Sequence, residues 1–585
     1  MCGIAGITMA PGMAAPAEST VRALQAALAH RGPDGSGSVM IGQTALVHTR
    51  LAIIDLAGGD QPLFAGPATL IANGEIYNDL ALRAAMPGVS FATGSDCEPP
   101  LHLWRRDGDA YALHLRGMFA IAIHDRDGRT LTLTRDPFGI KPLYITIIEG
   151  GVAFASEPQA LLAAGLCSRV LRPQARDELL QLQFTTGAET IFAGIRRVLP
   201  GETLRIADGA IVEQRRIAAL PEGGPEPIGE AEALDRLDRA LMDSVEHHQR
   251  SDVPYGMFLS GGIDSASILA CMARLSGAPL AFTAGFDVPG AADERAQAAH
   301  IAKTVGARHE AIEISAPMVW RHLPKIVAAM DDPAADYAII PSYFLAERAR
   351  RDVRVVLCGE GGDEIFAGYG RYRSAMRPWF LGGRAMRGRG IFHRLDVLRA
   401  VSPGWHDGTE AGEASAASPG RSRLQAAQAA DIADWLPNDL LTKLDRCLMA
   451  HGVEGRTPFL DPVVAAAGFR LPDALKIRDG RGKFLLRLWL SRALPEAQPF
   501  APKQGFTVPV GAWIAAQAAR LGPLVAAQAG VAEVAWPDRV LSLFNNADSK
   551  RAGLGAWMLL FYALWHRLHI EGAACDGDVF DVLAK

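Results

Sequence analysis

The sequence predicts two joined folds: an α+β domain rich in strands, then an α/β domain with a parallel sheet and a helical C-terminal extension. Three observations predict it. At 585 residues the chain exceeds one ordinary hydrophobic core. Its N-terminal part holds short alternating or apolar segments and few helical ones. From residue 253 onward strands alternate with helices, the pattern of a parallel sheet whose ligands sit at the C-terminal strand ends.

In the first part, strands are expected at 44–48, 69–72, 119–124, 130–134 and 151–155, and helices at 19–29 and 79–85. Pro99-Pro100 predicts that the helix after Asp96 starts late. The breaker-rich stretch 221–227 (PEGGPEP) reads as a linker, dividing the chain into domains 2–220 and 228–570. Leu234, Leu237, Leu241 and Val245 recur at three- and four-residue steps, predicting an amphipathic helix over 228–249. Strands then follow at 254–259, 280–286, 309–314 and 353–358, with helices at 265–275, 293–305 and 341–350. Residues 403–423, rich in Gly, Ser, Ala and Glu, read as a mobile insertion. The tail beyond about Leu568 is expected to be loosely held.

Hydrophobic residues make up 49% and charged residues 21%, an ordinary globular balance. The net charge of −5, without a long basic run, argues against a nucleic-acid partner. No apolar run approaches ~18 residues, so no membrane span is expected, and the first residues lack the basic start of a signal peptide. Seven scattered cysteines without CxxC spacing suggest neither a disulfide framework nor a zinc site, and a reducing cytoplasm fits them.

Residues 260–265 read SGGIDS, between an apolar run and a helical one. Strand, Ser/Gly-rich turn and helix together point backbone N–H groups and the positive helix end at phosphate. No Gly-Lys-Ser/Thr follows, so this is not the Walker pattern. A second glycine-rich turn, 359–364 (GEGGDE), follows the strand at 353–358. Taken alone, Asp264 also suits a helix cap worth about 1 kcal/mol, and Glu360 a solvated loop charge. Taken alone, Cys2 suits a small apolar residue opening a strand and also an N-terminal nucleophile: methionine removal would leave its α-amine, with a pKa of roughly 8, as a base beside its own thiol.

Cys2 is followed in order by HRGPDG (30–35), RLAIID (50–55), NGEIYN (73–78), GSD (94–96) and RDPFGIKPLY (135–144). This ordered set resembles the glutaminase domain of class II glutamine amidotransferases, and implies a four-layer N-terminal-nucleophile sandwich with two sheets inside. The resemblance makes Cys2 the nucleophile and gives Asn73 and Gly74 to its oxyanion hole. Arg50 suits glutamine's α-carboxylate, Asp96 its α-ammonium and Glu75 a further polar contact, with Leu51, Ala52, Ile53 and Ile54 completing the set.

SGGIDS looks like the pyrophosphate loop of ATP pyrophosphatases. Paired with GEGGDE, it resembles the synthetase domain of glutamine-dependent asparagine synthetases. That resemblance implies Ser260, Gly261, Gly262 and Ser265 around the phosphates, and Leu259, Ala284, Cys358 and Gly359 around adenosine. It places Mg²⁺ on Asp264 and Asp363, ties Glu360 to adenylate formation and amine attack, and extends Lys503 (PKQGF, 502–506) to the phosphates. Arg456 (EGRTPFLDP) and Lys483 (GKFLLR) lie in further family-like stretches. The implied substrates are glutamine, ATP and aspartate; a homodimer is compatible. Another carboxylate acceptor, such as a sugar acid or natural-product intermediate, stays open, as does a non-catalytic relative that only binds glutamine or nucleotide. Gly455 stands where the family usually has valine.

Overall fold

The computed structural model describes residues 2–288, 293–377, 380, 386–501 and 507–585. Two six-stranded antiparallel sheets occupy the first part. One runs in the order Ile195–Arg197, Tyr144–Ile148, Gly151–Ala155, Gly3–Met9, Thr44–Arg50, Gly35–Ile41. The other runs Ala210–Arg216, Glu202–Ala207, Thr130–Arg135, Gly117–Asp125, Ala68–Ile76, Leu63–Ala65.

Period-two alternation explains the layering. Ile4, Leu46, Ile71 and Ala120 meet between the sheets in one apolar cluster. Their neighbours Ala5, Val47, Leu70 and Ile121 face outward instead. The outer face of the first sheet takes helices Glu18–Ala27 and Pro158–Ala163, and that of the second takes Glu98–Asp107, completing four layers. Helix Glu98–Asp107 begins at Glu98, against the expectation of a late start. Pro99 and Pro100 fill its first turn, where N–H groups have no intrahelical partner to lose.

The second part is built on a five-stranded parallel sheet ordered Arg308–Ile314, Leu280–Phe286, Tyr255–Phe258, Val355–Leu357, Glu454–Arg456. Helix Glu230–His248 buries Leu234, Leu237, Leu241 and Val245 as its spacing predicts. Strand Glu454–Arg456 is too short for any period to reveal. Its Gly455 has a packing reason: a Cβ there would lie 2.9 Å from Leu448 Cδ2.

Two expectations of looseness fail. Within 403–423, helix Asp407–Ala416 packs on helix Arg423–Ala430, which begins in a Ser422–Gln425 capping box. In the tail, helix Val579–Ala584 is capped by Asp578 and buries Val579, Val582 and Leu583. Neighbouring helices supply the contacts that local composition could not announce. The largest of these is Lys550–Trp565, whose indoles Trp557 and Trp565 donate to the Ala335 and Met330 carbonyls.

The two parts meet over buried ion pairs. Arg31 bonds both carboxylate oxygens of Asp445, at 2.7 and 3.1 Å, and Arg197 grips Asp332 at 2.7 and 2.6 Å. All four side chains are almost wholly buried; Arg31 also bonds Glu157 at 2.7 Å and Asp445 also accepts from Arg446 at 3.0 Å, whereas losing Arg197 or Asp332 would strand its partner's charge. Among the described residues, no helix is long and apolar enough to cross a membrane.

Candidate active sites

Cys2 precedes strand Gly3–Met9, which lies between Thr44–Arg50 and Gly151–Ala155. The facing sheet presents Asn73, Gly74 and Glu75 from strand Ala68–Ile76. The Cys2 nitrogen donates to Asn73 Oδ1 at 3.1 Å. That bond fixes the amide and leaves Asn73 Nδ2 buried without a hydrogen-bond partner among the described residues. A fixed, unspent N–H donor beside a thiol is suited to a developing oxyanion. Gly74 is obligatory for closeness: a Cβ would lie 2.2 Å from the Met118 carbonyl oxygen.

Cys2, Arg50, Leu51, Ile53, Ile54, Gly74, Glu75 and Asp96 line one cavity of ≈30 Å³. Ala52 does not; its N–H turns away to Asp34 at 3.0 Å. Gln61, Cys97 and Glu454 join the lining; Glu454 opens the EGRTPFLDP stretch, where only Arg456 stood out, and no motif marks Gln61 or Cys97 for the site. The Arg50 guanidinium is held by the Asp55 carbonyl at 2.6 Å and by Asp60 at 2.8 Å. Burial pushes the Cys2 thiol above its ordinary value, while the Leu51 N–H and Arg50 act against that rise. Burial also raises the Asp96 carboxyl to about 6, against the Ile76 N–H bonded to it at 2.7 Å. Glu75 is raised by burial too, against the pull of Arg456, whose guanidinium lies 3.0 Å away.

The second site lies at the C-terminal ends of the parallel strands. Leu259, Ser260, Gly262, Asp264, Ser265, Ala284, Cys358, Gly359, Glu360 and Asp363 all line one cavity of ≈310 Å³. Gly261 makes the turn beneath it, at φ +73°, a backbone region open to glycine. Ser260 and Ser265 tie that turn together, their hydroxyls 3.1 Å apart. Helix Ile263–Ser276 is capped by Gly262 without a side-chain bond, so Asp264 is not its cap. Instead Asp264 and Asp363 converge on Lys483 Nζ, at 2.5 and 2.6 Å. Glycines make room for them: a Cβ at Gly362 would sit 2.4 Å from Asp264 Oδ1, and one at Gly368 still closer to Asp363. Two hard carboxylates converging on one cation fit a magnesium site completed by phosphate and water oxygens. Lys483 itself holds a left-handed backbone, φ +58°, of the kind stored at functional positions. Lys503 lies outside the described residues.

Burial raises Glu360, with Lys443 opposing. Glu364 rises to about 8 through burial and the Asp363 charge, and accepts from Tyr369 at 2.8 Å. Sequence reasoning gave no role to Glu364 or Lys443, although both line the cavity. Lys443 lies in an unremarkable helical stretch, and no motif marks it.

One strand touches both sites. Glu454 lines the first cavity. Arg456 pairs with Glu75, and its carbonyl accepts from the N–H of Cys358, which lines the second.

Residues 1–216 match the family model for a glutamine amidotransferase domain, and residues 236–567 that for asparagine synthase. The chain is 33% identical to asparagine synthetase [glutamine-hydrolyzing] 1 of Bacillus subtilis, over 98% of this chain and 97% of the relative. It is 28% identical to asparagine synthetase B of Escherichia coli, over 88% and 83%. A third relative, amidase chyE of Penicillium rubens, is 32% identical over 64% of this chain and 60% of its own.

Proposed function

The chain belongs to the asparagine synthase family and carries a glutamine amidotransferase domain ahead of the synthase domain; from that premise we propose that it is a glutamine-hydrolysing asparagine synthetase. The Cys2 thiol, deprotonated by its own α-amine, attacks the side-chain amide carbon of glutamine. Asn73 Nδ2 and the Gly74 N–H hold the oxyanion. Arg50 takes the α-carboxylate and Asp96 the α-ammonium, with Glu75, Leu51, Ile53 and Ile54 closing the pocket. Ammonia leaves, and water releases glutamate from the thioester.

At the second site the side-chain carboxylate of aspartate attacks the α-phosphorus of ATP. The bond to the bridging oxygen breaks, and pyrophosphate leaves with the electron pair. Residues 260–265 and Lys503 hold the phosphates, and Leu259, Ala284, Cys358 and Gly359 the nucleoside. Mg²⁺ on Asp264 and Asp363 would neutralise charge on the departing pyrophosphate. Ammonia then attacks the acyl carbon, AMP leaves, and Glu360 takes the surplus proton to give asparagine.

The reading rests most on SGGIDS and GEGGDE lining a single cavity in a chain that also sets Asn73 beside Cys2. The likeness to a Penicillium amidase favours, as a second reading, the same reaction on a different carboxylate. Pyrophosphate release from MgATP across a panel of carboxylates, with glutamine present, decides between them. Aspartate is expected to respond most strongly. A response from other acids alone removes the asparagine assignment and keeps the reaction class. No release with any acid removes both.

A further inference from the structure

The acceptor's place in the large cavity follows from geometry and from the direction of attack. The strand-end residues Leu259, Phe282, Ala284 and Cys358 offer an apolar bed for a base, and the turn 260–265 lines the same cavity, where the proposed reaction puts the phosphates. In-line displacement puts the attacking carboxylate on the side of the α-phosphorus away from pyrophosphate. The remaining wall comes from elsewhere in the chain: Ser342, Glu364, Tyr369, Leu440 and Lys443.

Among the described residues, Lys443 is the cation of that wall. It is 5% exposed, and its one hydrogen-bond partner among the described residues is Asp336, at 2.7 Å. An ammonium has three donors, so two remain for a ligand. Burial works against its charge, but Asp336, Asp439 and Glu360 outweigh burial and keep it ionised. Beside it, Asp439 Oδ1 is buried without a hydrogen-bond partner among the described residues. Both residues sit where Asp431–Leu441, a π-helical run, passes into helix Thr442–Met449. Such runs are rare and recur at functional sites.

We propose that Lys443 binds the acceptor's second, non-reacting carboxylate, so that this wall selects a dicarboxylate over a monocarboxylic acid. This rests on the reaction proposed above and deepens it. Lys443 is thereby a substrate-binding residue that sets specificity, and adenylation itself belongs to the loops.

The test compares pyrophosphate release with aspartate and with β-alanine, which is aspartate without its α-carboxylate. In Lys443→Met, kcat/KM for aspartate should fall about 10- to 100-fold, the range for a lost charged hydrogen bond. For β-alanine it should change by less than about threefold, so the preference collapses. Lys443→Arg should restore part of it, and KM for ATP should hold. An equal fall for both acceptors would mean that Lys443 only orders Glu360, and would overturn the assignment. Should the methionine variant fail to fold, as its thermal midpoint would reveal, the wild type still decides. Isoasparagine, whose α-carboxylate is amidated, should be used about 10- to 100-fold less well than aspartate, and equal use would end the proposal. If the wild type releases no pyrophosphate with aspartate at all, the proposed function falls and takes this assignment with it. Release with an unaltered preference in the variants removes the assignment alone.

Discussion

The two cavities solve opposite problems. The cavity beside Cys2 has ≈30 Å³ of space and is walled by strands of two facing sheets together with the loops that leave them. The cavity beside the glycine-rich turns has ≈310 Å³ and is walled by turns and helix ends beyond a parallel sheet. In the first, antiparallel ladders place Asn73 beside Cys2, and the Asn73 side-chain N–H has no hydrogen-bond partner among the described residues. In the second, carboxylates stand ready for charge that arrives with the ligand, and Lys483 balances two of them meanwhile. Preorganised hydrogen bonds thus govern the small site, and compensated charge governs the large one.

The largest break in that comparison is Cys2→Ala. Glutamine-dependent synthesis should fall by at least about 10⁴-fold, because the nucleophile is gone. Synthesis from added ammonia should persist near the wild-type rate; equal loss of both in a steady-state assay would contradict two separable sites. Next comes Asn73→Ala, expected to lower kcat of glutamine hydrolysis by about 10²–10³-fold, the usual cost of one oxyanion donor. Single-turnover thioester formation measures it, and a change confined to KM would argue against that role.

The smallest effect concerns stability in the large cavity. Glu364 titrates near 8 in the folded chain, far above an ordinary carboxyl. The folded state therefore keeps this proton where the unfolded state has lost it. From above pH ~4.5 up to about 8, this group's contribution declines as pH rises, by at most about 1.4 kcal/mol per unit. Glu364→Gln removes the charge and keeps an acceptor for Tyr369. Its stability relative to wild type should grow between pH 5 and 7.5 in denaturant titrations, and a pH-independent difference would show that burial leaves Glu364 ionised.

The same contrast explains how much was legible. Strands such as Gly151–Ala155 and Leu280–Phe286 fall where their apolar runs predict them, and both glycine-rich turns fall at strand ends as expected. Strand Glu454–Arg456 does not announce itself, because three residues carry no period. Nor does Lys443, because a lysine on a helix reads as a solvated face until distant Asp336 and the glycine-rich turns come together around it. The helices Asp407–Ala416 and Val579–Ala584 were unreadable for a related reason: their order comes from partners far along the chain.

The sequence alone determined the local chemistry: a thiol at position 2, an Asn-Gly pair, two phosphate-type turns and their carboxylates. Those depend on residue type and short spacing, which a linear chain displays in full. Tertiary structure alone decided which charges face each other: Arg456 on Glu75, Lys483 between Asp264 and Asp363, Lys443 on Asp336. Side chains so far apart in sequence acquire a common low-dielectric environment only when the chain folds, and Arg456 and Glu75 only when the two parts pack; no local pattern encodes those meetings.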